Sequence, residues 1–264
     1  MEYLAYFTTI LLGLAIGSFL NVLILRLPRE ESWLKKARSF CPLCDRVLKA
    51  VELIPVVSFL IQRGKCGGCK KKISWQYPAV ELATVVLFML AFLNYFHDNF
   101  LSVQDLILMV TDFLFIAVLI VVFVIDVKHF LIIPKLIYPM IPIAFILNLW
   151  GSGWSMQAAG DMIFAGLVGF LFYWIQHFIS KGKWVGGGDM KLALLLGVML
   201  GMQWLLMTLL ISYVVGALIA IILLITKKMD RKSQLPMAAF LAPVSVLMIL
   251  YGNIILDWYI KLLL

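Results

Sequence analysis

Charge is scarce in this chain. Only 14% of its 264 residues are Asp, Glu, Lys or Arg, where a soluble domain has about a quarter, and 64% are apolar. That deficit excludes a water-soluble globule. Cysteine is scarce as well: four residues cannot build the dense disulfide framework of a small secreted scaffold. The sequence also lacks a Ser or Cys nucleophile motif, a dinucleotide-type glycine fingerprint and any basic segment joined to a nucleic-acid-reading motif. The net charge is +8, which by itself suits either a nucleic acid or an anionic membrane surface.

Apolar runs, by contrast, make up most of the chain. About 20 apolar residues at 1.5 Å each cross a bilayer core of about 30 Å. Runs of that order extend from Tyr3 to Leu25, Ala79 to Phe96, Val103 to Ile125, Ile132 to Trp150, Ala158 to Ile179, Leu192 to Thr226 and Met237 to Trp258. The sixth would be about 52 Å long as one helix, too long for a single pass. Gly201-Met202-Gln203 is its natural break, giving two short passes or a re-entrant segment plus a span. The first run has Glu2 in front and Arg26 and Arg29 behind, the reverse of a cleavable signal peptide, and is read as an anchor.

The basic residues assign these runs to sides. Segment 26–78 holds twelve Lys and Arg, 127–135 two, 180–191 three and 227–235 four, whereas 94–104, 150–157 and 201–203 hold none. Since basic residues collect on the cytoplasmic face, this alternation predicts eight passes with both termini outside. A single pass through the sixth run would carry Lys227, Lys228, Arg231 and Lys232 to the wrong face. The excess charge is therefore an orientation signal, and the partner it implies is the lipid bilayer rather than nucleic acid. The expected fold is an all-α polytopic membrane protein of about eight transmembrane helices. It divides into a first span (1–25), a cytoplasmic insert (26–78) and a multi-span membrane domain (79–264).

The insert carries Cys41-Pro-Leu-Cys44 and Cys66-Gly-Gly-Cys69. Two such knuckles can set four thiolates tetrahedrally around one zinc ion, with no open position for substrate, so the metal would be structural. Two disulfides and a redox motif are the alternatives, and the reducing cytosol and the Gly and Pro turns weigh against both.

Acids inside or beside apolar runs are costly to keep and are candidates for function. They are Glu81, Asp112, Asp126, Asp161 and Asp189. Asp126 closes the third run and Asp189 opens the sixth, both at the cytoplasmic end. Two neighbouring carboxylates divide acid and base roles for amide hydrolysis, because one holds a proton while the other accepts one from water. Pairing of these acids with Lys128 and Lys191 at span ends is the alternative, and spacing leaves the two readings even. Gly186, Gly187 and Gly188 before Asp189 would let an extended substrate approach the backbone. Asp112 lies about 21 Å along a helix from Asp126 and, like Asp161, is placed toward the outer face. His129 and His177 are read as interfacial side chains.

Taken together, Gly17-Ser-Phe-Leu-Asn-Val22, Arg26-Leu-Pro28, the two cysteine knuckles, Tyr77-Pro78-Ala-Val-Glu81, the Asp126 segment with Pro134, and Gly186-Gly-Gly-Asp-Met-Lys-Leu192 resemble the type IV prepilin peptidases. The order matches and nearly the whole chain is covered. That family is an eight-span aspartic peptidase of the bacterial inner membrane with a Gly-x-Gly-Asp site. The resemblance implies that Asp126 and Asp189 are the catalytic pair, and that the substrates are prepilins or secretion pseudopilins cut after a basic leader at the cytoplasmic face. It also implies methylation of the new N-terminus with S-adenosylmethionine at a site associated with the insert. No fingerprint for that cofactor is visible, and Glu81 and Asn21 are named as its candidate contacts. A leader peptidase without methyl transfer, and a proton-coupled transporter using Asp112 and Asp161, are the competing readings. The chain departs from the family pattern at Lys135, at Val185 and at Pro236-Met-Ala-Ala-Phe240, which stands where Pro-Phe-Gly-Pro-Phe is usual. None of these is expected to touch the two acids.

Overall fold

The computed structural model describes residues 2–29, 39–41, 43–96, 102–227 and 235–263; Lys35, Lys36, Arg38, Pro42, Lys228, Arg231 and Lys232, all used above, lie outside them. The described chain is helical, as the run lengths require, with two isolated β-bridges as its only extended pairing. Among the described residues, six helices are long and apolar enough to cross a membrane. The chain separates into two compact units, Met1–Leu101 and Ser102–Leu264.

In the first unit, α1 (Glu2–Arg26) packs along α3 (Gln76–Tyr95), and the described part of the insert between them carries a short α-helix, α2 (Val57–Ile61), and two single turns of 3-10 helix. Gly13 and Gly17, one turn apart, allow this close crossing. A Cβ on either would stand 2.8 Å or 2.7 Å from the Cα of Val85 or Glu81. Small residues at such spacing bring membrane helices into backbone contact.

The second unit comprises α4 (Val103–His129), α5 (Pro134–Gly151), α6 (Met156–Ser180), α7 (Gly187–Ile225) and α8 (Ala238–Leu263). Local chemistry sets most of the ends. Ser102 and Asp105 form a reciprocal cap at the start of α4, and Ser155 accepts from the Ala158 N–H at the start of α6. Pro134 opens α5, where its missing N–H has no cost. Phe130 and Lys181, in left-handed backbone, close α4 and α6.

The sixth apolar run breaks at Gly201, whose φ of 73° and ψ of 174° are not helical. The register against α6 shows that the chain reverses there. Ala165 meets Gly197 and Gly169 meets Ala193, so the first half of α7 is antiparallel to α6. Asp161 meets Met202 and Gln176 meets Tyr213, so the second half runs parallel to α6. The run is therefore two antiparallel segments rather than one long helix, which returns its two ends to the same side.

A break inside a membrane segment frees backbone groups that lipid cannot satisfy. Here the Asn148 side chain of α5 donates to the carbonyls of Val198 (2.9 Å) and Met199 (3.0 Å). The Met202 N–H donates to the carboxylate of Asp161 at 3.1 Å. Asp161, counted above as part of a possible proton path, is thus engaged in capping a half-helix.

Candidate active site and metal centre

Both cysteine knuckles fold the same way. The N–H of the first cysteine donates to the carbonyl five residues on, Cys41 to Arg46 and Cys66 to Lys71, each at 2.9 Å. Asp45 and Lys70, the residues after the second cysteines, both adopt positive φ. The flanking bridges correspond as well, Phe40 with Val47 and Lys65 with Lys72. The four sulfurs come within 4.8 Å of one another, and all four thiols are free. A tetrahedral zinc–thiolate site has sulfurs about 3.8 Å apart, so this donor set fits a metal after sub-ångström adjustment.

The N–H groups of Gly68 and then Cys69 pull the Cys66 thiol down to about 6, favouring the thiolate a metal needs. Arg46 reaches over from the first knuckle to pair with Glu52 at 2.6 Å, and it lies against Gly67 and Gly68. Any Cβ at either glycine would meet this ion pair, which explains the Gly-Gly sequence.

In the second unit the two acids selected from the sequence converge. Asp126 is 4% exposed near the end of α4, and its carboxylate accepts the Ala239 N–H at 2.9 Å and that of Ala238. Asp189 lies in the first turn of α7 and accepts the Gly186 N–H at 3.0 Å. The carboxylates are close enough to act on each other through space. Packing supports this independently: a Cβ on Gly188 would stand 2.7 Å from the Cβ of Ile132, six residues beyond Asp126. Each acid thus faces the positive end of a helix dipole, α8 for Asp126 and α7 for Asp189. Lys191 does not pair with Asp189 but stands over the Tyr138 ring, 5.4 Å from its centroid.

Of the three glycines, Gly188 serves close packing, while Gly186 and Gly187 have room around them. The segment from Pro236 to Phe240 was placed away from the acids by sequence reasoning, and that requires correction, because Ala238 and Ala239 bond Asp126 directly. A proline at position 239, usual in the resembling pattern, has no N–H to give. Backbone donors carry no residue-type signature, so only the fold reveals them. Asp112 and Asp161 do not join the pair; the start of α4 lies toward the opposite end of the unit, where the Gln104 side chain donates to the Gly151 carbonyl.

Asn21 and Glu81 occupy the first unit, and both are buried. Asn21 donates to the carbonyls of Gly17 and Tyr77 and accepts from the Gln76 amide. Glu81 accepts the Val56 N–H at 2.8 Å and a hydrogen bond from Ser18. Val56 has φ 60° and ψ −51°, and Val57 N–H donates to Pro55 across it. This is the high-energy hand of the γ-turn, unusual for a β-branched residue, and Glu81 holds it in place. The polar groups of Asn21 and Glu81 are thus shared among α1, α3 and this turn.

Fold and site together define a multi-pass α-helical membrane protein with an insert whose four thiols could hold a metal, and two acids near one end of a helix bundle. Residues 11–95 match the Bacterial Peptidase A24 N-terminal domain, and residues 113–221 match the Type IV leader peptidase family. A protein of Bacillus subtilis (strain 168) named prepilin leader peptidase/N-methyltransferase is 36% identical over 254 residues, covering 95% of this chain and 96% of that one. Proteins of the same name from Pseudomonas aeruginosa (32% identical, 96% and 92% covered) and Aeromonas hydrophila (30%, 98% and 95%) align as fully. No solved structure matches the chain. The chain belongs to the prepilin leader peptidase/N-methyltransferase family and, with it, to a class of membrane enzymes.

Proposed function

We propose that this protein is an aspartic endopeptidase that removes the basic leader from type IV prepilin-like or pseudopilin precursors at the cytoplasmic face of the bacterial inner membrane. The observation that carries the reading is the convergence of Asp126 and Asp189 from sixty-three positions apart, each bonded to backbone N–H groups at a helix start. One carboxylate takes a proton from water as its oxygen bonds to the scissile carbonyl carbon. The other gives its proton to the amine as the C–N bond breaks. The basic residues at the acid-bearing end of the second unit favour that end being cytoplasmic. A precursor's apolar helix would then stay in lipid while its leader junction meets the acids.

Methyl transfer to the new N-terminus is the second activity we propose, supported by the name the relatives share. S-adenosylmethionine would supply the methyl group. Asn21 and Glu81 are assigned to it as supports that fix the α1–α3 crossing and the Val56 turn. Incubating purified protein with a precursor peptide and S-adenosylmethionine labelled in its methyl group tests both activities: cleavage with a labelled product is expected. Cleavage without label would remove the second activity, and no cleavage would remove the first.

Zinc is the metal we assign to Cys41, Cys44, Cys66 and Cys69, as the folding element of an insert with little core of its own. Cys66→Ser is expected to lower bound zinc, read by mass spectrometry, from about one per chain to a small fraction of that. The folded Cys66 thiol lies below its unfolded value of about 8.5, so its stabilising contribution is complete above that pH and disappears as pH falls through about 6. Zinc release is therefore expected to set in below about pH 6, measured with a colorimetric chelator. Unchanged zinc content in the variant would sink this assignment.

A further inference from the structure

His177, read from the sequence as an interfacial side chain, reaches Asp189 through a single peptide unit. It lies three residues before the end of α6, and its ring nitrogen Nδ1 stands 2.8 Å from the Val185 carbonyl oxygen. A carbonyl oxygen only accepts, so Nδ1 carries the proton. The N–H of that same peptide unit belongs to Gly186 and donates to Oδ2 of Asp189 at 3.0 Å. In a trans peptide the C=O and the N–H point in opposite directions, so His177 and Asp189 hold the two edges of one plane. Each bond polarises the amide in the sense that strengthens the other.

The connection from α6 to α7 wraps around the ring. The Gly182 N–H donates to the His177 carbonyl at 2.8 Å, and a Cβ on Gly182, whose φ is 76°, would stand 3.1 Å from Cε1 of the ring. The Trp184 N–H donates to the Ser180 hydroxyl, which in turn donates to the His177 carbonyl. Gly186 is different, because it is exposed and open. The nearest atom to a Cβ there, beyond its chain neighbours, would be Oδ2 of Asp189 at 3.4 Å. Glycine accepts a wide range of φ, so the peptide plane ahead of Gly186 turns over at little cost unless something holds it. Turning it would withdraw the N–H from Asp189 and aim the carbonyl at that carboxylate instead. The bond from His177 opposes this rotation.

We propose that His177 is a positioning residue for Asp189: it fixes the Val185–Gly186 peptide in one orientation, and through that peptide's N–H it fixes the direction of the carboxylate. The inference rests on the reading of Asp126 and Asp189 as the catalytic pair. A misplacement of about 1 Å at a reacting group costs on the order of 10² in rate, so a hold on Asp189 acts on kcat more than on binding.

The test compares the parent, His177→Leu, His177→Asn and Asp189→Asn in precursor cleavage, with rates counted per folded protein from thermal unfolding in detergent. Leucine removes the donor, whereas asparagine keeps an N–H near the place of Nδ1. His177→Leu is expected to lower kcat by about 10²-fold and to leave KM within about threefold, and His177→Asn to restore kcat to within about fivefold of the parent. A parent-like kcat for His177→Leu alongside an inactive Asp189→Asn would overturn the role of His177 alone. So would equal losses in the two His177 variants, since the ring would then serve packing and not the hydrogen bond. A parent-like rate for Asp189→Asn would overturn the catalytic pair and this inference with it. A second readout, independent of catalysis, is hydrogen–deuterium exchange at the Gly186 amide, expected to quicken by about tenfold in His177→Leu and to stay near the parent's in His177→Asn. Unchanged exchange in His177→Leu overturns the proposal even where its activity falls. If His177→Leu yields no folded protein, folded His177→Asn decides: a 10²-fold loss of kcat there overturns the proposal.

Discussion

Asp126→Asn and Asp189→Asn are each expected to lower kcat for precursor cleavage by on the order of 10⁴-fold or more, with unfolding temperatures near the parent's. The separation of activity from stability follows from the contacts. An amide oxygen can accept the Ala239 N–H in place of the Asp126 carboxylate, and the Gly186 N–H in place of Asp189. Shape and helix starts are thereby kept. What an amide cannot do is take a proton from water or give one to the departing amine. The measurement is cleavage of a precursor peptide by each purified variant. A parent-like rate in either would remove the peptidase assignment. The transporter reading makes the opposite forecast for these positions, and its own acids are poorly available, since Asp161 caps the second half of α7.

Gly201→Val is expected to have the largest effect on stability, a loss of about 2–4 kcal/mol in detergent unfolding. The φ of 73° and ψ of 174° at this position lie in a region essentially reserved for glycine. A Cβ there would stand 2.6 Å from Oδ2 of Asp161, the same oxygen that accepts the Met202 N–H. The substitution therefore strains the reversal and displaces its cap together. Asp161→Ala removes only the cap and is expected to cost about 1 kcal/mol. Equal losses in the two variants would show that backbone conformation at Gly201 contributes nothing. Precursor cleavage by Gly201→Val is expected to fall as well, because strain at the reversal disturbs the packing on α6 of the first half of α7, which carries Asp189.

The candidate site was only partly legible in the sequence. Asp126 and Asp189 stood out because an acid at the end of an apolar run is rare, and the charge alternation set them at one depth. The cysteines stood out because their spacing is that of a thiolate pair. Ala238 and Ala239 gave no sign, because the groups they contribute are peptide N–H donors common to every residue but proline. Asn148 looked like an ordinary polar residue near a span end until Val198 and Met199 appeared beside it.

The sequence by itself determined the helical class, the position of the break and the four-cysteine insert. These follow from bilayer thickness, the distribution of basic residues and local spacing, all of which act along the chain. Only the tertiary structure decided which backbone groups meet Asp126 and what use is made of Asp161. Those depend on the register between helices, and register is set by close packing between residues far apart in sequence, at glycines such as Gly169 and Gly197, rather than by any property that a single segment carries alone.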